Sequence, residues 1–192
     1  MLKQSRIIKE NIFKYHIINL LIRKLVLIME NMFYHTFKIE QHDYLLAATA
    51  KGLTFVGSPD QGMSEFKRFY PQVTDMSDDV TLLKPVAQQL TEYFQCKRKT
   101  FAVTTDISGT EFQKQVWQQL QQIPYGQTTD YSNLASAINH PKAYRAVGTA
   151  VGKNPLLMII PCHRVLTKTG QIGGYRGGIA MKRELLTLEG SL

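Results

Sequence analysis

The chain has 192 residues, 44% of them apolar and 20% charged, with a formal net charge of +8. That length and balance fit one large domain or two small ones, and they exclude a disordered polypeptide. Two cysteines, Cys96 and Cys162, exclude a disulfide framework; both are expected to be free, in a reducing, cytoplasmic setting.

The charge is unevenly placed. Residues 1–31 hold six basic and two acidic groups, residues 32–103 hold eight of each, and residues 104–192 hold nine basic and five acidic. A basic segment attracts polyanions through counterion release, although a solvated face accounts for such charge equally well. At the N-terminus the apolar run IINLLIRKLVLIM, residues 17–29, is broken by Arg23 and Lys24. It is shorter than the roughly 20 apolar residues that span a bilayer. It lacks a small-residue cleavage site, which argues against a signal peptide. An amphipathic helix at a membrane surface is one reading. The plainer one, adopted here, treats residues 1–31 as an extension that the fold does not need, with Met29 or Met32 as a translation start. No stable membrane association is expected.

From about residue 32 the pattern becomes strand-like. FYHTFKIE, YLLAATA and LTFVGS are short runs rich in aromatic and β-branched residues, and Lys51–Gly52 reads as a hairpin turn between two of them. EFKRFYP and DDVTLLKPVAQQLTEYFQC read as helices, the second with Val86, Leu90 and Phe94 along one face. Residues 32–103 are therefore expected to form a small antiparallel sheet covered by helices. His35, His42, Asp43 and Cys96 show no metal-ligand spacing, so no metal site is expected.

KRKTFAVTTDIS, residues 97–108, is a polar connection into a second part, residues 104–192. GTEFQKQVWQQLQQI places Phe112, Val116, Trp117, Leu120 and Ile123 on one stripe, with Thr110 as a possible cap. Pro124–Tyr125–Gly126 ends that helix. Two short helices follow. YSNLASAIN is capped by Thr128, Thr129 or Asp130, and KAYRAVGTAVG begins just after Pro141. Two short helices around a tight turn have the form of a helix-turn-helix, or of an ordinary αα-hairpin in a core. Lys142, Arg145 and Lys153 would contact phosphate, and small residues such as Ala146 would permit close approach to a groove. The fold class is thus α+β: a small sheet with helices, then a mostly helical, winged-helix-like part.

The run IIPCHRV, residues 159–165, poses the functional question. Four readings of Cys162 compete. A metal ligand needs partners that only His163 and the distant His140 supply. A cysteine hydrolase needs an imidazole on the thiol, yet neighbours in an extended segment face opposite ways, so a turn is required. A buried inert cysteine is a common fate of free thiols, although His163 and Arg164 favour a thiolate. The fourth reading is a thiolate that attacks a ligand delivered by the DNA-binding helices.

The motifs GTEFQKQVW, IPYGQTTDYSNLA, PKAYRAVGTAVGKNP, IIPCHRV, GGYRGG and KRELLTLEG together resemble the O6-alkylguanine-DNA alkyltransferases. The resemblance runs from YFQCKRKTF to Glu189 and more loosely back to Met32. It implies DNA repair by irreversible transfer of an alkyl group to Cys162 from O6-alkylguanine in double-stranded DNA, with O4-alkylthymine as a further candidate substrate. It implies His163 as base through a water, Glu189 orienting His163, and Asn154 tying the active-site turn to the recognition helix. Tyr175 would hydrogen-bond the leaving base. Arg145 would enter the stack as the target nucleotide is extruded, and Tyr131 would press on its phosphate. Backbone groups of Cys162, Val165 and Arg176, beside Gly177, would line the pocket. Arg176 departs from the small residue common in relatives; a side chain lying across the pocket mouth would exclude large alkyl groups. Cys96 also departs, from glycine. A thioether product with no second nucleophile implies one turnover; no cofactor is evident, and a monomer is expected. The competing class is a helix-turn-helix protein that binds DNA or lesions without chemistry, and such relatives lack the acceptor cysteine that this chain has.

Overall fold

The structure, a computed structural model, describes residues 32–192; the expectations for residues 1–31 lie outside the described residues. Strands β1 (Met32–Ile39), β2 (His42–Thr49) and β3 (Gly52–Val56) form an antiparallel meander. Helix α1 (Gly62–Phe69) follows, then the short strand β4 (Met76–Asp78) and helix α2 (Val80–Phe94). The sheet order is β3-β2-β1-β4, and β4 pairs parallel with β1. The sheet is therefore mixed rather than wholly antiparallel. A three-residue strand of Met, Ser and Asp carries almost no strand signal, and only the α1 crossover delivers it to the β1 edge.

β2 explains why YLLAATA is apolar throughout. Tyr44, Leu46 and Ala48 enter the main core, while Leu45 and Ala47 enter a second cluster with Phe55, Phe66 and Tyr70. Period-two alternation places them on opposite faces, and both faces are covered. α2 buries Leu83, Ala87, Leu90 and Tyr93, so the stripe is centred one position away from the expected Val86 and Phe94, which flank it half-buried.

The connection after α2 runs along the free edge of β3. Leu53 N–H donates to Thr104 O (2.9 Å), and Asp106 N–H donates to Leu53 O (2.8 Å). Helix α3 (Glu111–Leu120) begins with a reciprocal capping box between Thr110 and Gln113 and buries Val116, Trp117 and Leu120 as expected. Trp117 Nε1 donates to Ala150 O at 2.9 Å, which fastens α3 to the helix pair. That pair is α4 (Tyr131–Ala137), capped by Asp130, and α5 (Tyr144–Gly152). α5 starts later than expected. Ala143 N–H donates to His140 O (2.8 Å), so Pro141 occupies the second position of a tight turn instead of the first turn of the helix. Lys142 lies in that turn and Lys153 caps the far end, leaving Arg145 and Ala146 in the helix itself. A two-stranded parallel pair, β5 (Thr129–Asp130) and β6 (Val165–Leu166), and helix α6 (Gly178–Leu188) complete the fold.

Gly52 is required where the connection crosses β3. Its φ is +154°, and an added Cβ would lie 2.7 Å from Thr104 O. Gly52→Ala is expected to destabilise the protein by about 1–3 kcal/mol through backbone strain and displacement of that segment. The measurement is the midpoint of urea unfolding, with an unchanged midpoint contradicting the argument.

Candidate active site

Residues 153–165 leave α5 and run against the end of β3, where Val56 N–H donates to Pro155 O (2.9 Å). The chain reverses at Met158, whose φ of 68° is unusual for a side chain of this size, and ends in a 3₁₀ turn over Cys162–Arg164. Asn154, fully buried, ties this path together. Its Oδ1 accepts from Leu156 N–H (2.9 Å), which fixes the amide orientation. Its Nδ2 then faces Ile160 O (2.8 Å) and Cys162 Sγ (2.9 Å). The thiol is thus held by a neutral donor and is 2% exposed. Burial pushes its pKa up, opposed by the Asn154 hydrogen bond and by the charges of Arg176 and Lys182.

The turn also separates Cys162 from a direct bond to its neighbour. His163 Nε2 lies 3.0 Å from Glu189 Oε1, in a pair with no exposed side-chain surface. A carboxylate only accepts, so Nε2 carries the proton and Nδ1 is left as a basic nitrogen. Nδ1 is buried and has no hydrogen-bond partner among the described residues. Burial drives the His163 pKa down, so the imidazole is neutral at pH 7.

Glu189 follows α6 and is the hub of the site. Arg164 grips it with Nε on Oε2 (2.9 Å) and Nη2 on Oε1 (2.8 Å), while Nη1 donates to Ile123 O (2.5 Å). Tyr93 Oη donates to Oε1 at 2.5 Å, and Gly126 N–H reaches Oε2 at 3.3 Å. Tyr93 was not singled out from the sequence, and Arg164 was read only as a cation favouring a thiolate at Cys162. Arg164 was visible inside the motif, but Tyr93 is 96 positions away on α2 and looked like one more core aromatic. Lys182 was missed as well. It is buried on α6, donates to Val165 O (2.5 Å), and burial lowers its pKa to about 8. That bond already occupies one lone pair of the Val165 carbonyl expected to line the pocket.

The loop before α6 carries the residues expected to form the pocket wall. Tyr175 Oη is buried without a partner among the described residues, and burial, followed by the nearby Cys162, raises its pKa well above the usual phenol value, so it remains a donor. Its ring lies 6.4 Å from that of His163. A Cβ on Gly177 would displace Met181 Sδ and lie 2.8 Å from the Tyr175 ring, so any side chain there requires Met181 and Tyr175 to shift. Tyr131 sits between α5 and this loop; a Cβ on Gly173 would come 3.3 Å from its hydroxyl. Arg176 does not lie across the mouth. Its side chain turns into the N-terminal half, against Glu65, Phe55 and Phe69. Lys142, Arg145, Ala146 and Lys153 are all exposed on and around α5, whereas Cys162 is buried. Tyr144, 45% exposed beside Arg145, belongs to the same surface and was also missed.

Residues 111–191 match the DNA-binding domain of 6-O-methylguanine DNA methyltransferase, and residues 32–107 match its ribonuclease-like domain. The chain is 47% identical over 152 residues to the inducible methylated-DNA–protein-cysteine methyltransferase of Bacillus subtilis, covering 77% of this chain and 84% of that protein. It is 40% identical to the corresponding protein of Methanosarcina mazei, over 82% and 97% of the two chains. Its fold is similar to the crystal structure of Mycobacterium tuberculosis O6-methylguanine methyltransferase (TM-score 0.73, 38% identity, 83% and 93% coverage). The same Mycobacterium tuberculosis protein in complex with DNA superposes with a TM-score of 0.71 at 37% identity, over 84% and 93% of the chains.

Burial opposes the charge on Glu189, but the hydrogen bonds from His163 and Arg164 outweigh it and hold its pKa at about 2. A carboxyl depressed on folding stabilises the native state at and above its unfolded pKa, roughly 4.3, and loses that contribution as pH falls through the folded value. The contribution is on the order of 3 kcal/mol. Glu189→Gln is expected to lower stability at pH 7, because Arg164 is left buried and unpaired. It should also flatten the decline of stability between pH ~4.3 and ~2. Urea unfolding across pH tests this, and an unchanged acid slope would count against it.

Proposed function

This chain belongs to the 6-O-methylguanine DNA methyltransferase family, and on that premise we propose that the Sγ of Cys162 is its alkyl acceptor. It repairs DNA by direct transfer of a methyl or other alkyl group from O6-alkylguanine to a cysteine of its own. The observation that carries the assignment is the buried thiol held by Asn154 beside a neutral histidine whose other nitrogen is committed to a carboxylate. A non-catalytic lesion-binding protein has no use for that arrangement.

The bond changes balance without an oxidant or a cofactor. His163 Nδ1 takes the Cys162 proton through a water. The thiolate lone pair attacks the alkyl carbon, the S–C bond forms, and the C–O bond breaks with its electron pair on the guanine oxygen. Tyr175, protonated and buried, donates a hydrogen bond to a ring nitrogen as charge develops there, and the departing guanine anion takes from His163, through water, the proton that the thiol gave up, which leaves guanine and imidazole neutral. Glu189 keeps the imidazole in the productive tautomer and stabilises it once protonated. The thioether is not readily hydrolysed, so each molecule acts once.

A thiol 2% exposed is out of reach of a base stacked in a duplex. The nucleotide must rotate out, at a cost of a few kcal/mol. Arg145, exposed on α5, fills the space left in the stack, and Tyr131, between α5 and the pocket loop, presses on the rotated backbone. Lys142 and Lys153 bracket α5 as phosphate contacts, and Ala146 allows the helix to approach closely. Among the described residues no helix is long and apolar enough to cross a membrane. With two free cysteines, a cytoplasmic, monomeric protein without metal or cofactor is the simplest setting, and residues 1–31 are an extension outside the family match.

Intact-mass spectrometry after incubation with O6-methylguanine duplex DNA is expected to show a gain of one methyl group in place of the Cys162 proton, absent in Cys162→Ala. No gain under reducing conditions would refute the acceptor assignment. Arg145→Ala should slow reaction with the duplex while leaving reaction with free O6-benzylguanine near the wild-type rate. Equal loss on both substrates would remove Arg145 from the extrusion step.

A further inference from the structure

The pocket loop is held from outside its own half of the molecule. Arg176 follows Tyr175 directly, yet its guanidinium is buried among residues of β3, its following turn and α1. Nη2 donates to Val56 O (2.7 Å) and Pro155 O (3.2 Å). Nη1 lies 2.9 Å from Glu65 Oε1, an ion pair whose angle falls short of a hydrogen bond. The guanidinium carbon sits 5.1 Å from the centre of the Phe55 ring and 4.9 Å from that of Phe69. The side chains of Arg176 and Glu65 are only 8% and 3% exposed.

Glu65 is itself fixed. Ser58 N–H donates to Oε2 (2.7 Å), and Ser58 Oγ donates to Oε1 (2.6 Å). The same hydroxyl lies 3.2 Å from the main-chain oxygen of Arg176. The side chain of Arg176 is thus gripped by the N-terminal half, and its main-chain oxygen lies against the Ser58 hydroxyl as an alternative acceptor for that one proton. Meanwhile Val56 N–H holds Pro155 O, beside the Asn154 that positions Cys162. Both walls of the pocket, the Asn154–Cys162 path and the Tyr175–Gly177 loop, are registered against one short stretch, Val56–Ser58.

We propose that Arg176 is a positioning residue for alkyl transfer: clasped by Glu65, Ser58 and the carbonyls of Val56 and Pro155, it lets the N-terminal domain set where Tyr175 stands relative to Cys162. This rests on the assignment of Cys162 as acceptor. It gives residues 32–103 a part in the reaction beyond the contact of Tyr93 with Glu189. The clasp depends on guanidinium geometry. A planar fork meets two carbonyls on one nitrogen and a carboxylate on the other while stacking on aromatic faces; a lysine ammonium supplies the charge but not that arrangement. Placement errors of about 1 Å at a reacting centre cost up to about 100-fold in rate.

The test uses the full chain with Arg176→Lys and Glu65→Gln, assayed well below the thermal unfolding midpoint of each variant. Single-turnover rates with O6-methylguanine duplex and with free O6-benzylguanine should both fall by about 10- to 100-fold. Affinity for unmodified duplex, set by α5, should be unchanged. The pH at which the rate rises should not move in Arg176→Lys, because the charge near the thiol is kept. If Arg176→Lys reacts at the wild-type rate, the residue acts only through its charge and the inference is wrong. A matching loss of DNA affinity would overturn it too, by placing the effect on binding. Should Arg176→Lys fail to fold, Glu65→Gln decides, since it retains the shape and the Ser58 N–H bond. Wild-type rates in both variants, with wild-type protein alkylated at Cys162, overturn this inference alone. A wild-type chain that takes up no alkyl group overturns the acceptor assignment on which it rests.

Discussion

The site depends on one buried carboxylate. Glu189 has no exposed side-chain surface and must be paired to stay ionised there. It is paired from four directions: His163 and Arg164 from the active-site turn, Tyr93 from α2, and the Gly126 amide after α3. Satisfying that single charge therefore gathers the second helix of the N-terminal half, the loop that ends α3, the nucleophile turn and the end of α6. The functional consequence follows from the same bonds. Arg164 supplies the permanent positive charge that keeps Glu189 anionic, so His163 can remain neutral and present Nδ1 as a base. Were His163 the only partner, the buried carboxylate would favour a protonated imidazole, and the relay would begin with its proton acceptor already filled.

Asn154 plays the corresponding role for the thiol. An amide is the right chemistry because one side chain must accept from Leu156 and donate to both Ile160 and Cys162. An aspartate would repel a thiolate, and an aliphatic residue would leave the reversed path from Pro155 to Pro161 without its internal tie. The left-handed backbone of Met158 costs that path stability, which the Asn154 tie offsets. Its outer edge is closed by β3, so the sheet serves as the template on which the catalytic turn is laid.

The parts legible in the sequence were those with local causes. The aromatic and β-branched runs of β1 to β3, the Thr110 cap and the apolar stripe of α3 are written within a few residues of where they act. IIPCHRV was legible as chemistry because unlike polar groups stand side by side after an apolar run, whereas GGYRGG was legible only through the family resemblance. What escaped needed distance. β4 is a strand only because α1 returns it to β1. Tyr93 differs from the other core aromatics only in having Glu189 opposite it. Lys182 reads as one member of a basic pair, and only the fold shows that it is inside and its neighbour Arg183 outside. Arg176 carried the clearest signal of something unusual, a long cation amid glycines. Its direction could not be read, because the Glu65, Phe55 and Phe69 that receive it lie in a different half of the chain.

The two cysteines show why burial suits a reagent used once. Cys96 is exposed, and Cys162 is not. An exposed thiolate reacts with any electrophile or oxidant in solution, and a protein consumed by a single reaction has no way to recover from a wasted one. Burial raises the pKa of Cys162 and keeps it a thiol while the site is empty. Ionisation is then worth its cost only when an acceptor for the proton and an electrophile are present together. Asn154, Arg176 and Lys182 reduce the penalty without removing it, and His163 Nδ1 offers the proton a destination. On the proposed reading, a ligand inserted as deeply as an extruded base is what reaches the sulfur. The same desolvation that slows the free thiol thus confines its reactivity to the one substrate shaped to enter.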